Sequence, residues 1–261
     1  QAIAAAKLNG IVNFITKIGN DKNGEMALNL YKELGMDTAS IIQDKNLSTG
    51  VAGIMVNEKT GDNAINIIPG AAGTLTNDDI EQNLNFIANT DIFLTQLETP
   101  YDVTKYALMK AKENKLTTIL NPAPAYKIND DDFKLIDFFT PNETEAEFYL
   151  NKKIETEKDI KIASEEFLKK GIKNVVITLG EKGCYFANNK ENFFMNAFKL
   201  KEPVLDTTGA GDAFNGALAV GLSKDLDIKE VLTFANKVAA ISTTKQGAAA
   251  SMPSMEDLKN Y

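Results

Sequence analysis

The chain has 261 residues, 44% of them hydrophobic, a formal charge of −8, one cysteine and no histidine. That length and apolar content suffice for one large domain or two modest ones, and the acidic balance argues against wrapping nucleic acid or docking on an anionic membrane surface. Cys184 alone allows neither an internal disulfide nor a cysteine zinc cluster and fits a reducing cytoplasm, while the lack of histidine excludes every imidazole base, relay or metal ligand. No run approaches the ~18 apolar residues of a membrane span, and no signal peptide is visible.

The chain opens on QAIAAAKLNG, which reads as the middle of a helix, so a preceding N-terminal segment is expected to be missing. Next, IVNFITKIG (11–19) reads as a strand and GEMALNLYKELG (24–35) as a helix closed by a glycine. STGVAGIMVNEKTGDNAINIIPG (48–70) holds two β-type runs around a Lys-Thr-Gly-Asp turn and reads as a hairpin. Strands then alternate with helical stretches: DIFLTQLE (91–98), TTILNPAP (117–124), DFFTPN (137–142) and NVVITLGEKG (174–183), the last running into a further β-type stretch. The acidic NDDDF (129–133) reads as a solvated turn and helix start.

This alternation predicts an α/β fold with a mostly parallel central sheet covered by helices on both faces. Residues 1–47 and 71–261 form the expected core, and 48–70 part of a small β lid over one edge. Ligands of open parallel sheets sit beyond the carboxyl ends of the strands. That directs attention to Gln96–Glu98, Asn121–Ala125, Pro141–Glu145, Thr178–Gly183 and Asp206–Asp212.

DTTGAGDAFNGAL (206–218) carries the most specific signal. It is neither a dinucleotide fingerprint, since Gly216 falls too far after Gly211, nor a P-loop, since Gly-Lys-Ser/Thr is absent. Gly209, Ala210 and Gly211 still allow close approach to a helix N-terminus, where free N–H groups and the dipole favour an anion. Asp212 would sit in the first turn, ionised, either as a mere cap or oriented to take a proton from an incoming hydroxyl while the N–H groups hold a transferring phosphoryl group.

The stretch is similar to the C-terminal signature of the PfkB, or ribokinase-like, carbohydrate kinases, and NPAPA (121–125), TPNETEAE (140–147), VVITLGEKG (175–183) and FANKVAAISTTKQGAAASMP (234–253) extend the likeness over essentially the whole chain. The likeness implies a ribokinase-like fold and ATP-dependent phosphorylation of a sugar, D-ribose at its 5-hydroxyl, with deoxyribose, fructose or a nucleoside as alternatives. It also implies that the absent N-terminal segment carries the first strand, an aspartate that contacts the sugar and a glycine-rich loop. A fragment that binds nucleotide without turnover is the non-catalytic alternative. A nicotinamide dehydrogenase is disfavoured by the glycine spacing.

Residue by residue, the likeness makes Asp212 the base, with Gly209, Ala210 and Gly211 forming the anion hole. Glu98 contacts the sugar hydroxyls, although a carboxylate before Thr-Pro also suits a turn. Asn142 lies near the triphosphate and Glu145 near Mg²⁺ through water; the same Asn-x-x-Glu spacing also spells a helix capping box. Thr178, Leu179, Gly180, Glu181, Lys182 and Gly183 form a nucleotide loop, Thr178 and Gly180 nearest the phosphates, Glu181 and Lys182 in solvent; otherwise they are a surface turn. Asn236 approaches the adenine, or is a surface amide. Asp206, Thr208, Ser242, Lys245, Gly247 and Ser251 match a monovalent-cation site for K⁺, the lysine through its carbonyl. A homodimer through the β lid is expected.

Overall fold

Strands form where β-branched and aromatic runs are unbroken, and helices where apolar residues recur at helical spacing behind a capping residue. A computed structural model describes residues 1–56 and 63–261. In chain order come α1 (Ala2–Lys7), β1 (Thr16–Gly19), α2 (Lys22–Glu33), β2 (Ile41–Asp44), β3 (Thr49–Val56) and β4 (Asn63–Gly70). Then follow α3 (Asn77–Glu81), α4 (Leu84–Ala88), β5 (Ile92–Thr95), α5 (Tyr101–Glu113), β6 (Thr117–Leu120), β7 (Phe138–Phe139), α6 (Glu143–Leu150) and α7 (Glu157–Lys169). The chain ends with β8 (Asn174–Thr178), β9 (Cys184–Asn188), β10 (Asn192–Met195), α8 (Ala210–Leu222) and α9 (Ile228–Ser242).

The six-stranded sheet runs β10-β9-β8-β7-β6-β5. β5 to β8 are parallel, and β9 and β10 are added antiparallel. Successive strand residues point to opposite faces. Ile119, Phe138, Val176, Cys184 and Phe186 join a core with α1, α8 and α9. Leu120, Phe139, Val175, Ile177 and Tyr185 join another with α6 and α7. Phe139 and Phe167 are fully buried there with ring centroids 5.0 Å apart, each worth about 1.5–3 kcal/mol of apolar burial. The expected α/β architecture with helices on both faces is thus present.

Several details depart from expectation. Only Thr16–Gly19 of the 11–19 stretch is a strand; Asn13 makes a single bridge to Asp37. Ile11 is 98% exposed, while Val12 and Ile15 pack against the helical cores rather than in a sheet. β1 and β2 form their own parallel pair, hydrogen-bonded separately from the six-stranded sheet. The NDDDF segment is a 3-10 helix, Asp130–Leu135, and is not simply solvated. Phe133 enters the core, and Asp132 is buried with Lys105 at 2.9 Å and the Tyr101 hydroxyl donating to it at 2.7 Å.

β3 and β4 pair antiparallel, as the hairpin reading requires, in a two-stranded sheet of their own. The Lys59–Asp62 turn lies outside the described residues. Asp21 joins the hairpin to α2. Its carboxylate caps the helix by accepting from Gly24 N at 2.8 Å, and accepts from Thr49 N at 2.8 Å and Thr49 Oγ1 at 2.7 Å. Val51, Ile54, Met55, Ile67 and Ile68 are exposed on the hairpin.

Candidate active site

Residues just beyond β5, β6 and β7 reach the first turns of α8, Gln96 and Asn121 through Gln1 and Thr140 through Asn215. Gly209 caps that helix with φ +77°, a left-handed conformation that costs little only for glycine. The position is also tight: a Cβ there would lie 3.0 Å from Met252 Cε. The turn raises the first helical residues toward the strand ends and places Asp212, half-buried, in the first turn.

One expected anion-hole donor is already used. Ala210 N–H donates to the Thr207 carbonyl at 3.1 Å. Among the described residues, the N–H groups of Gly209, Gly211 and Asp212 have no protein acceptor, so Gly211 and Asp212 supply the forward-facing donors of the helix start. Ala210 N–H is thus not among the donors left open at this turn.

Asp212 is held from the side. Gln1 Nε2 donates to Asp212 Oδ1 at 3.0 Å and to Asn121 Oδ1 at 2.9 Å, and Gln96 Nε2 donates to Gln1 Oε1. α1 reaches this position because Gly216 has no side chain; a Cβ there would fall 2.7 Å from Ala4 Cβ and 2.8 Å from the Gln1 carbonyl. Glu98 faces the same space. Its surface is open to solvent, but the surrounding walls desolvate it and the charge of Asp212 adds to this, raising its carboxyl pKa above the ordinary value. Two carboxylates therefore stand near one another at the start of α8.

Asn142 and Glu145 do form the capping box. Asn142 Oδ1 accepts from Glu145 N at 2.8 Å, and Glu145 Oε2 accepts from Asn142 N at 2.9 Å. The box engages one oxygen of Glu145, whose carboxyl pKa is raised by burial despite that bond. Asn142 also bridges to Thr178, whose N–H donates to the Pro141 carbonyl at 2.9 Å, so these two candidate nucleotide residues are neighbours.

In the loop after β8, Gly180 and Gly183 have φ of +56° and +100°. Glu181 and Lys182 are exposed, as expected, but the Leu179 side chain belongs to the α6–α7 core and only its backbone borders the loop. Asn236 is not a surface amide. It is buried on α9 and its Nδ2 donates to Cys184 Sγ at 3.4 Å. Burial pushes the Cys184 thiol up to about 11 against that hydrogen bond.

Of the candidate cation residues, Asp206, Thr208 and Gly247 are joined by hydrogen bonds behind the α8 turn. Asp206 accepts from Thr208 N and Gly247 N, both at 2.9 Å, and Leu205 N donates to the Thr243 carbonyl at 2.8 Å. The Gly247 N–H, and then Thr208, hold the Asp206 carboxyl below its ordinary pKa. Ser242 and Ser251 are fully buried, their hydroxyls donating to Ala239 and Ala248 carbonyls, both at 2.8 Å. Lys7 Nζ donates to the Met252 carbonyl at 2.8 Å and braces the same loop, while Lys245 points outward to Asp257 at 3.3 Å.

Sequence reading missed Gln1, Thr140 and Asn215 as members of this site, and had only noted the strand ends that hold Gln96 and Asn121. Asn215 was detectable, as a lone amide in an otherwise apolar helix three positions after Asp212 and so on its side of the helix.

Residues 1–255 match the pfkB family carbohydrate kinase profile, and the chain belongs to that family. It is 39% identical over 259 residues to ribokinase of Staphylococcus aureus, covering 99% of this chain and 84% of that protein. It is 38% identical over 261 residues to ribokinase of Haemophilus influenzae, covering 100% of this chain and 84% of that one. The solved structure of Arabidopsis thaliana ribokinase complexed with ribose and ATP is similar with a TM-score of 0.90 at 28% identity, over 99% of this chain and 84% of that chain.

Proposed function

We propose that this chain transfers the terminal phosphoryl group of ATP to D-ribose at its 5-hydroxyl, giving ADP and D-ribose 5-phosphate. The observation that carries the reading is Asp212 standing beside the unpartnered N–H groups of Gly211 and Asp212 at the start of α8. In this reading Asp212 accepts the proton of the attacking hydroxyl as the new P–O bond forms and the bond to ADP breaks. The two N–H groups stabilise charge on the oxygens of the phosphoryl group in transit. Glu98, an acceptor when ionised, takes hydrogen bonds from sugar hydroxyls and so orients the ring.

The nucleotide lies along Asn142, Thr178 and Gly180–Gly183, with the adenine toward Asn236. The donor set suits Mg²⁺ and K⁺. Glu145 keeps one carboxylate oxygen outside the capping box, enough for an ion that retains most of its waters. The cluster of Asp206, Thr208, Ser242, Gly247 and Ser251, with the Lys245 carbonyl, is all oxygen, as a hard monovalent cation requires. When bound, Mg²⁺ neutralises phosphate charge, and K⁺ shapes the turn that carries the anion hole. We assign the reaction to the cytoplasm, in keeping with a lone buried thiol. Two chains pair through the exposed apolar residues of the hairpin, which serves as lid and dimer contact.

The test is ADP release by this chain from Mg-ATP in K⁺ buffer, with and without D-ribose, deoxyribose and fructose. Ribose-dependent release supports the reading. Sugar-independent release, or none from folded protein that binds ATP, overturns it.

A further inference from the structure

Behind the α8 turn lies a closed circuit of hydrogen bonds that the chemistry above does not use. Asn215 is 1% exposed and Thr140 is 1% exposed. Burying an amide and a hydroxyl among apolar residues is unfavourable unless each polar atom has a partner. Here each has one. Asn215 Nδ2 donates to the Gly211 carbonyl at 2.9 Å, and Asn215 Oδ1 accepts from Thr140 Oγ1 at 2.7 Å. The Thr140 carbonyl accepts from Asn121 Nδ2 at 3.1 Å, and Asn121 Oδ1 accepts from Gln1 Nε2, which reaches Asp212 Oδ1. The circuit closes through the peptide bond between Gly211 and Asp212. It ties α8 to the carboxyl ends of β6 and β7 and to α1.

The covalent geometry gives this a consequence. The Gly211 carbonyl and the Asp212 N–H belong to one planar peptide unit. A bond that holds the carbonyl from below therefore aims the N–H above it, and that N–H is one of the donors at the helix start with no acceptor among the described residues. The opposite orientation of the Asn215 amide would set its oxygen against the Gly211 carbonyl, so the surrounding acceptors determine it.

Resting on the kinase reading above, we propose that Thr140 and Asn215 are positioning residues for phosphoryl transfer: they fix the Gly211–Asp212 peptide plane and with it the anion-hole donor and the base. Neither touches substrate.

The test compares wild type with Thr140→Val, which keeps the side chain's shape and removes its donor, with Asn215→Ala, and with Thr140→Ser, which restores the hydroxyl. With D-ribose and Mg-ATP, Thr140→Val and Asn215→Ala should lower kcat by about tenfold to a hundredfold. KM for both substrates should stay within about twofold, and Thr140→Ser should recover the wild-type kcat. Unchanged kcat in both variants, with only a lower Tm, overturns the proposal. If wild type turns over no sugar, the kinase reading fails, and ¹⁵N relaxation of the Gly211 and Asp212 amides decides the positioning claim alone. A loss of order there in Thr140→Val, with the rest of α8 unchanged, upholds it, and unaltered order overturns it.

Discussion

Gln1 Nε2 lies 3.0 Å from Asp212 Oδ1, so the proposed base takes a hydrogen bond from a helix packed across its own. The contact holds one carboxylate oxygen and leaves the other to meet a hydroxyl. Asp212→Asn keeps the shape and the side-chain oxygen but cannot accept a proton. Turnover should fall by about 10²–10⁴-fold, with ATP affinity by calorimetry close to wild type. Retained turnover would remove Asp212 from the role of base.

Gly216 lets that helix approach. Gly216→Val places carbon where Ala4 Cβ and the Gln1 carbonyl already stand, at 2.7 and 2.8 Å. Overpacking of this kind costs about 1–3 kcal/mol. The expected outcome is a lower urea midpoint together with reduced kcat, because α1 carries Gln1 away from Asp212. A variant with wild-type stability and rate would show that the α1–α8 contact is not close in solution.

Asp137 links β6 to β7 from a buried position, with Lys112 and Lys173 both at 2.6 Å and Thr118 N donating at 3.0 Å. Burial alone would raise its pKa, but the two lysines and the backbone N–H outweigh it and the folded value is lowered. A depressed carboxylate stabilises the fold above its unfolded pKa, and that contribution is lost as pH falls through the folded one. Asp137→Asn should therefore cost about 1–3 kcal/mol at neutral pH. The gap from wild type should narrow in acid, below the ordinary carboxylate range. A gap independent of pH, measured by urea unfolding, contradicts the assignment.

Cys184 is fully buried, with its thiol pushed up to about 11. In native protein it should resist a disulfide reagent near neutrality and react only as fast as the fold opens. ATP should slow that reaction further, since Asn236, its hydrogen-bond partner, lies in the proposed adenine site. Rapid stoichiometric labelling would show that this part of the β9–α9 interface is open.

The proposed K⁺ site predicts a cation preference. Replacing K⁺ with Na⁺ at constant ionic strength should lower kcat severalfold and leave the melting curve largely unchanged. Equal rates in the two salts would dismiss a role for the Asp206–Ser251 loops in turnover.

What could be read in the sequence was local. TTIL and NVVIT declare buried parallel strands because both faces are apolar and β-branched, and Asn142-x-x-Glu145 declares a cap because both partners lie within one turn. The glycines and Asp212 declare a helix start suited to an anion for the same reason. Other features depended on partners distant in the chain. Gln1 meets Asn121 across 120 positions, and Thr140 meets Asn215 across 75. Asp132 looked solvated within its acidic run until Tyr101 and Lys105 were seen to cover it. Asn236 looked like a surface amide until β9 was laid beneath it. By itself the sequence determined the strands of the main sheet, their order and the kind of chemistry the α8 turn can hold, since these follow from neighbours in the chain. Only the tertiary structure decided which N–H groups stay free and which buried amides hold Asp212 in place, because a hydrogen bond depends on where folding brings its two ends.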